Sequence, residues 1–302
     1  MLLLPQGPAA AHRLAGAAAR PPEQDGAQRV RWPDSSLPVP VDLSALPAEW
    51  QEPARAALAA WNSAGTPFWY VEAPADRVPL NAVRFEVVDR LYTCGGQWQP
   101  AACTFPFVYQ RAPGYLSHVV IQLVRERLQP PPSRRLLDTV DLPALLTHEL
   151  GHALGLGEAA SPTAAMFPGA LWHTLGADDI RELQALYGTA EGARPERAPS
   201  LLTPADGAVV LPRPVLRWEA LPDAFEYYLQ VAPASAYTAR GGLVDLSFGE
   251  YVLDTLTADA TYAFAAPLAA GTEYYWRVKA RTPGGNSPWS PPARFTVGEA
   301  RP

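Results

Sequence analysis

Cysteine and methionine are both scarce here, with two of each in 302 residues. Two cysteines rule out a multi-disulfide scaffold. Cys94 and Cys103, with Gly95-Gly96 between them, have no partner ligands nearby and are too widely spaced for a structural zinc site. Their eight-residue separation closes a ring without difficulty, so a disulfide is expected; two buried free thiols are the alternative. No uninterrupted apolar stretch approaches the roughly 18 to 20 residues that cross a bilayer, so no membrane span is expected. No basic run exceeds two residues, and 24 Lys+Arg stand against 30 Asp+Glu, a formal charge of −6. That balance offers no footprint for nucleic acid or an anionic membrane surface.

Length does allow two cores. Residues 1–28 run from Met1-Leu2-Leu3-Leu4 through an Ala-rich stretch broken by Pro5, Pro8, His12 and Arg13, which reads as a disordered or degenerate export segment outside the fold. Residues 189–198 lack large apolar side chains and periodicity, which is linker composition. The expected domains are therefore 29–188 and 199–298.

The first reads as α+β. Ala54, Ala57, Leu58 and Trp61 recur at the spacing of an amphipathic helix ending near Gly65. Residues 68–71, 83–88 and 119–123 are strand-like, and Val83, Phe85 and Val87 alternate against Arg84 and Glu86. After the Pro130-Pro131-Pro132 loop a second helix starts near Asp141, a good N-cap with Pro143 in the first turn. Ile180, Leu183 and Tyr187 mark a third, with Asp178 and Asp179 at its start and Gly188 past its end.

The second domain carries strand candidates about every ten residues, each bounded by Pro, Gly or Asp, the pattern of a β-sandwich. Trp218 lies on one strand and Phe225, Tyr227, Leu229 and Val231 on the next; Gly284 to Pro288 form a turn before Phe295-Thr296-Val297. Tyr274, Trp276, Val278 and Ala280 are expected to face inward, leaving Tyr275, Arg277, Lys279 and Arg281 outside. The stretch resembles a fibronectin type III domain, an all-β immunoglobulin-like sandwich. Lacking a charge cluster or an Arg-Gly-Asp sequence, it names no ligand; a spacer, or a module binding a surface or a protein partner, is the expectation.

Chemistry concentrates in His148-Glu149-Leu150-Gly151-His152. Four residues apart on a helix, the two imidazoles converge on one point, with Glu149 beside the first. Zinc suits two imidazoles, and a neighbouring carboxylate is placed to take a proton from a water that zinc acidifies. Gly155 is expected to end the helix in a left-handed turn that brings position 158 back to the metal, and Met166-Phe167-Pro168 follows eight residues later.

This succession resembles the matrixin branch of the metzincins. Arg31-Trp32-Pro33, Pro38 to Asp42, Trp61-Asn62, Asp178-Asp179-Ile180 and Leu186-Tyr187-Gly188 extend the resemblance over 29–188 in matrixin order. It implies a twisted mixed sheet with three helices, an edge strand that pairs an extended peptide, and Met166 as the floor of the metal site. It also implies that Glu158 stands where the family places a third histidine ligand. The histidine-rich loop that holds a second zinc in animal matrixins is missing, and the sequence does not decide whether calcium binds. His118 and His173 are expected to be surface or hydrogen-bonded residues.

Two functions remain open. The first is a secreted zinc-dependent metalloendopeptidase acting on protein or peptide, with one zinc on His148, His152 and Glu158 and with Glu149 as general base. The alternative is a catalytically weak or inactive metzincin-fold protein that binds or adheres. An intact Glu149 favours the first, and the exchanged third ligand favours the second.

Overall fold

A computed structural model describes residues 30–75, 78–91, 101–110, 112–128, 140–169, 172–236 and 251–299. Residues 1–28 and Cys94 lie outside these, so the export segment and the Cys94–Cys103 pair are not described. Two compact units are present: one of residues up to Pro33, Val39–Gly65 and Ala82–Gly188, the other of Asp34–Pro38, Thr66–Asn81 and the chain from Thr189.

In the first unit, β1 (Val39–Asp42), β3 (Val83–Val88), β5 (Ala112–Val124) and β4 (Ala102–Tyr109) lie in the order β1-β3-β5-β4. β1 and β5 are both parallel to β3, whereas β4 runs antiparallel to β5 and ends the order. The sheet is thus mixed. Leu116, Val119, Ile121 and Leu123 of β5 are buried, each side chain contributing roughly 1.5–3 kcal/mol by leaving water.

Helix α1 (Ala48–Asn62) buries Trp50, Ala54, Ala57, Leu58 and Trp61, the stripe its periodicity predicts. A short α2 (Arg125–Leu128) continues β5. Helix α3 (Leu142–Ala153) begins at Asp141, whose carboxylate accepts the Ala144 N–H at 3.3 Å, with Pro143 in the first turn. Helix α4 (Ala177–Tyr187) ends at Gly188, whose φ of 82° suits glycine. The Trp61 indole donates to Thr147 O at 2.8 Å and so ties α1 to α3. At the far end of α3 the Trp32 indole donates to Ala153 O and the Tyr187 hydroxyl to Leu154 O, both at 2.8 Å. These bonds satisfy carbonyls that a helix C-terminus leaves without intrahelical partners.

The structure departs from the sequence reading at two places in this part of the chain. The strand expected at 68–71 is β2 (Tyr70–Glu72), in the second unit, with Phe68 and Trp69 ahead of it. β4 had no counterpart in the sequence reading, because Pro106 breaks its alternation; an edge strand tolerates the missing N–H.

The C-terminal part of the second unit is a two-sheet sandwich. One sheet has the order β10-β9-β12-β14-β7 (Leu253–Thr257, Glu226–Pro233, Glu273–Thr282, Ala293–Val297, Ala208–Val210), with β13 (Gly285–Asn286) also on β12. The other has β11-β8-β6 (Thr261–Ala263, Val215–Trp218, Leu201–Thr203). Leu216, Trp218, Tyr227, Leu229, Val231, Tyr274, Trp276, Val278 and Phe295 form the core between them. The Tyr274 hydroxyl accepts the Ala269 N–H at 3.2 Å, closing a corner of the kind found in immunoglobulin-like sandwiches.

Two outward-facing expectations fail here. Lys279 is fully buried and Arg277 nearly so, while Phe225, expected on the same strand as Tyr227, lies ahead of β9 and is 49% exposed. The cause is a second layer on the β9–β12 face. Lys279 Nζ donates to Leu37 O at 2.6 Å and to Ser35 O, and lies 4.6 Å from the Trp289 ring centroid; Arg277 lies over the same ring at 4.2 Å. Carbonyls and ring faces replace the water an ammonium otherwise requires. The 189–198 stretch also has partners inside this unit, with Glu191 N donating to Pro283 O at 2.8 Å and Arg194 lying over Trp69.

Candidate metal centre

Helix α3 is apolar on nearly every side, and Ala144 through Ala153 are all buried, so its polar side chains require internal partners. His148 Nδ1 lies 2.8 Å from Ala165 O, and His152 Nδ1 lies 2.9 Å from Leu156 O. A carbonyl only accepts, so each Nδ1 carries the proton and each neutral ring presents a lone pair at Nε2. The two Nε2 atoms are 3.1 Å apart. Glu158 Oε2 is 3.7 Å from His148 Nε2, and Oε1 is 3.7 Å from His152 Nε2. Three electron-pair donors thus converge with no proton of their own between them.

Two buried imidazoles and a carboxylate settle into that arrangement only around a proton or a metal cation. Burial opposes a charge on His148, but the Glu158 and Glu149 carboxylates and Ala165 O outweigh it and raise its pKa. Burial likewise opposes a charged Glu158, yet the two histidines hold its carboxyl down to about 2. For a cation, one donor atom from each residue lies within 4.8 Å of the others, and the nearest N···N and N···O separations, 3.1 and 3.7 Å, are close to the roughly 3.3–3.5 Å between ligand atoms around tetrahedral zinc with bonds near 2.0–2.1 Å. His148, His152 and Glu158 are also the one group of metal-ligand geometry among the described residues. The donor set fits zinc.

The turn after α3 sets this geometry. Gly155 has φ 93°, and a Cβ there would stand 2.0 Å from Val30 O, so both the left-handed backbone and the close approach require glycine. The reversal lets Leu156 O receive His152 Nδ1 and returns Glu158 to the rings. Met166, 2% exposed, lies under α3: a Cβ on Gly151 would meet its sulfur at 2.1 Å and the Trp61 ring at 2.6 Å. Met166 is therefore packed beneath the helix turn that joins the two histidines.

Asp179 has a larger role than the sequence suggested. Beyond opening α4, its buried carboxylate accepts Ala165 N at 2.7 Å, Met166 N at 3.1 Å and Gly176 N at 2.7 Å. The same Ala165 receives His148 Nδ1 on its carbonyl, so the carboxylate holds the turn that orients the His148 ring. Asp179→Ala leaves three N–H groups, two of them buried, without that acceptor. It is expected to destabilise the metal-free protein by on the order of 3 kcal/mol or more, read from a denaturant titration. A change under about 0.5 kcal/mol would mean the turn stands by itself.

Glu149 is fully buried, and one of its carboxylate oxygens, Oε2, accepts the Thr104 hydroxyl at 2.5 Å. Thr104 escaped the sequence reading along with β4. His118 stacks on Phe107 with centroids 4.3 Å apart, and burial, with Arg84 nearby, lowers its pKa. His173 contributes its carbonyl near Thr147, and neither histidine belongs to the ligand group. Cys103 is buried on β4 beside Leu91 and Val124.

Residues 97–188 match the family described as matrixin, and 245–301 match one described as a Rha78A-like, N-terminal immunoglobulin domain. Residues 97–188 are thus similar to matrixins, and the C-terminal sandwich is similar over 245–301 to an immunoglobulin domain. Human matrix metalloproteinase-15 is 48% identical over 50 residues, 15% of this chain and 8% of that protein. Rabbit (Oryctolagus cuniculus) macrophage metalloelastase is 50% identical over 58 residues, 17% of this chain and 12% of the other. Metalloendoproteinase 5-MMP of Arabidopsis thaliana is 40% identical over 77 residues, 22% and 21%. The chain therefore spans about a tenth to a fifth of the length of these relatives. Among solved structures, the fn3 domain of human collagen alpha-1(XX) is 18% identical with a TM-score of 0.27, covering 37% of this chain and 94% of that one, and it adds nothing to what strand order shows. No helix among the described residues is long and apolar enough to cross a membrane.

Proposed function

We propose that this chain is a secreted zinc-dependent metalloendopeptidase. The observation that carries the proposal is the convergence of His148 Nε2, His152 Nε2 and a Glu158 carboxylate, with the buried Glu149 carboxylate one residue from the first ligand. When bound, zinc supplies Lewis acidity, which polarises a peptide carbonyl and acidifies water. His148 and His152 hold the ion through Nε2, their rings oriented by carbonyls at Nδ1, and Glu158 adds an anionic oxygen. Glu149 takes the proton of the attacking water on its carboxylate and returns it to the leaving amine. Met166 floors the centre from below α3. β4, which ends the sheet order among the described residues, offers its outer edge to an extended protein or peptide substrate.

Export agrees with a Cys94–Cys103 disulfide, which we include in the proposal. The immunoglobulin-like domain serves as a spacer or binds a surface or protein partner. A second reading, a binding protein with little or no activity, is favoured by Glu158 alone, since it replaces the histidine of the matrixin pattern.

One experiment separates the two. The purified protein is expected to hold one zinc per chain, to cleave an unstructured protein substrate, to lose cleavage with a chelator and to regain it with added zinc. Zinc bound at one per chain without cleavage of any substrate in a broad peptide library would favour the binding protein.

A further inference from the structure

Two of the three ligands and the base of this centre come from one helix, but the base is held by a different element. Glu149 Oε2 accepts the hydroxyl of Thr104 at 2.5 Å, the length of a hydrogen bond to an ionised carboxylate. The hydroxyl has a single proton, and its other acceptor, Glu149 O, is farther away at 3.2 Å, so the carboxylate is the main recipient. Both residues are buried, Thr104 at 1% and Glu149 at 0% exposure, where such a bond is not shared with water.

Thr104 is also held firmly. It lies in β4 opposite Ile121 of β5, with Ala102 opposite Leu123 on one side and Pro106 opposite Val119 on the other, and those three β5 residues are fully buried. A β-branched side chain in a strand has few χ1 choices, so the direction of the hydroxyl follows from the strand.

We propose that Thr104 is a positioning residue for the general base: its hydroxyl, delivered from the sheet edge, fixes the Glu149 carboxylate beside the metal ligands. This extends the peptidase reading above and rests on it. The ligands answer to α3 and its following turn, whereas the base answers also to β4. Loss of the hydroxyl therefore slows the chemical step and leaves zinc affinity and substrate binding in place. A hydrogen bond to a charged group is worth about a tenfold factor or more, which sets the size of the expected effect.

The test uses the full chain with Thr104→Val and Thr104→Ser, each with and without Glu149→Ala. In the zinc-loaded protein, Thr104→Val is expected to lower kcat about tenfold or more with KM and zinc content little changed, and Thr104→Ser to recover most of the loss. In the metal-free protein, Thr104→Val is expected to favour unfolding by a similar factor when Glu149 is present and much less when it is Ala, so that the two effects are coupled. Equal kcat in Val and wild-type proteins, or independent effects on unfolding, overturns the proposal. Should Thr104→Val not fold, Thr104→Ser against Thr104→Ala supplies the same comparison. The unfolding arm needs no catalysis, so an inactive wild-type protein would refute the peptidase reading while the Thr104–Glu149 coupling is still measured.

Discussion

Glu158→Ala is expected to weaken zinc binding by a factor of about 10² or more, and Glu158→His to restore most of it. The expectation starts from the pairing of one carboxylate with both imidazoles at 3.7 Å, where a third ligand would stand. Outer-shell partners of metal ligands are already worth about 10- to 100-fold in affinity, and removing a ligand itself exceeds that range. Zinc accepts carboxylate oxygen as well as imidazole nitrogen, and two His with one Glu is a catalytic set in other zinc peptidases. Histidine at 158 would supply a neutral donor from the same backbone position, since the Gly155 reversal that places it is unaffected. Competition against a chromogenic chelator gives the affinities. Glu158 turned to solvent, with the metal held by two histidines and water, predicts that neither substitution matters.

Glu149→Ala is expected to abolish peptide hydrolysis while the zinc stays bound. The side chain sits between a ligand and the sheet, fully buried and hydrogen-bonded to Thr104, but is not among the three converging donors. A positioned general base contributes about 10²- to 10⁴-fold, so the loss should exceed any effect on substrate binding. Because the group handles protons and holds no metal, zinc content should equal that of the unaltered protein. Turnover close to the unaltered rate would remove Glu149 from the mechanism, and loss of zinc would recast it as part of the ligand shell.

Asp179, Thr104 and Lys279 show where sequence stops being sufficient. Each type is legible in isolation: an acid at a helix start, a threonine in a broken run, a lysine alternating with apolar residues. What each one does depends on a partner far away in the chain. Asp179 binds a turn 13 and 14 residues earlier, Thr104 a helix residue 45 positions on, and Lys279 carbonyls more than 240 residues before it. Alternation placed Lys279 outside because a period of two identifies the two faces of a strand but not what covers them.

By itself, the sequence determined what depends on local geometry. Four residues on a helix bring His148 and His152 together, a left-handed glycine returns position 158 to them, Asp141 and Gly188 bound their helices, and alternation in β3 and β12 marks an apolar face. Each follows from backbone period and side-chain shape within about ten residues, and these make the α+β plus sandwich class and the convergence of His148, His152 and position 158 readable. Only the tertiary structure decided which hydrogen bonds finish the work: Ala165 and Leu156 carbonyls on the imidazoles, Asp179 under the methionine turn, Thr104 on the base. Buried polar atoms must be satisfied, but any nearby donor or acceptor of the right kind serves, so the choice among them rests with packing.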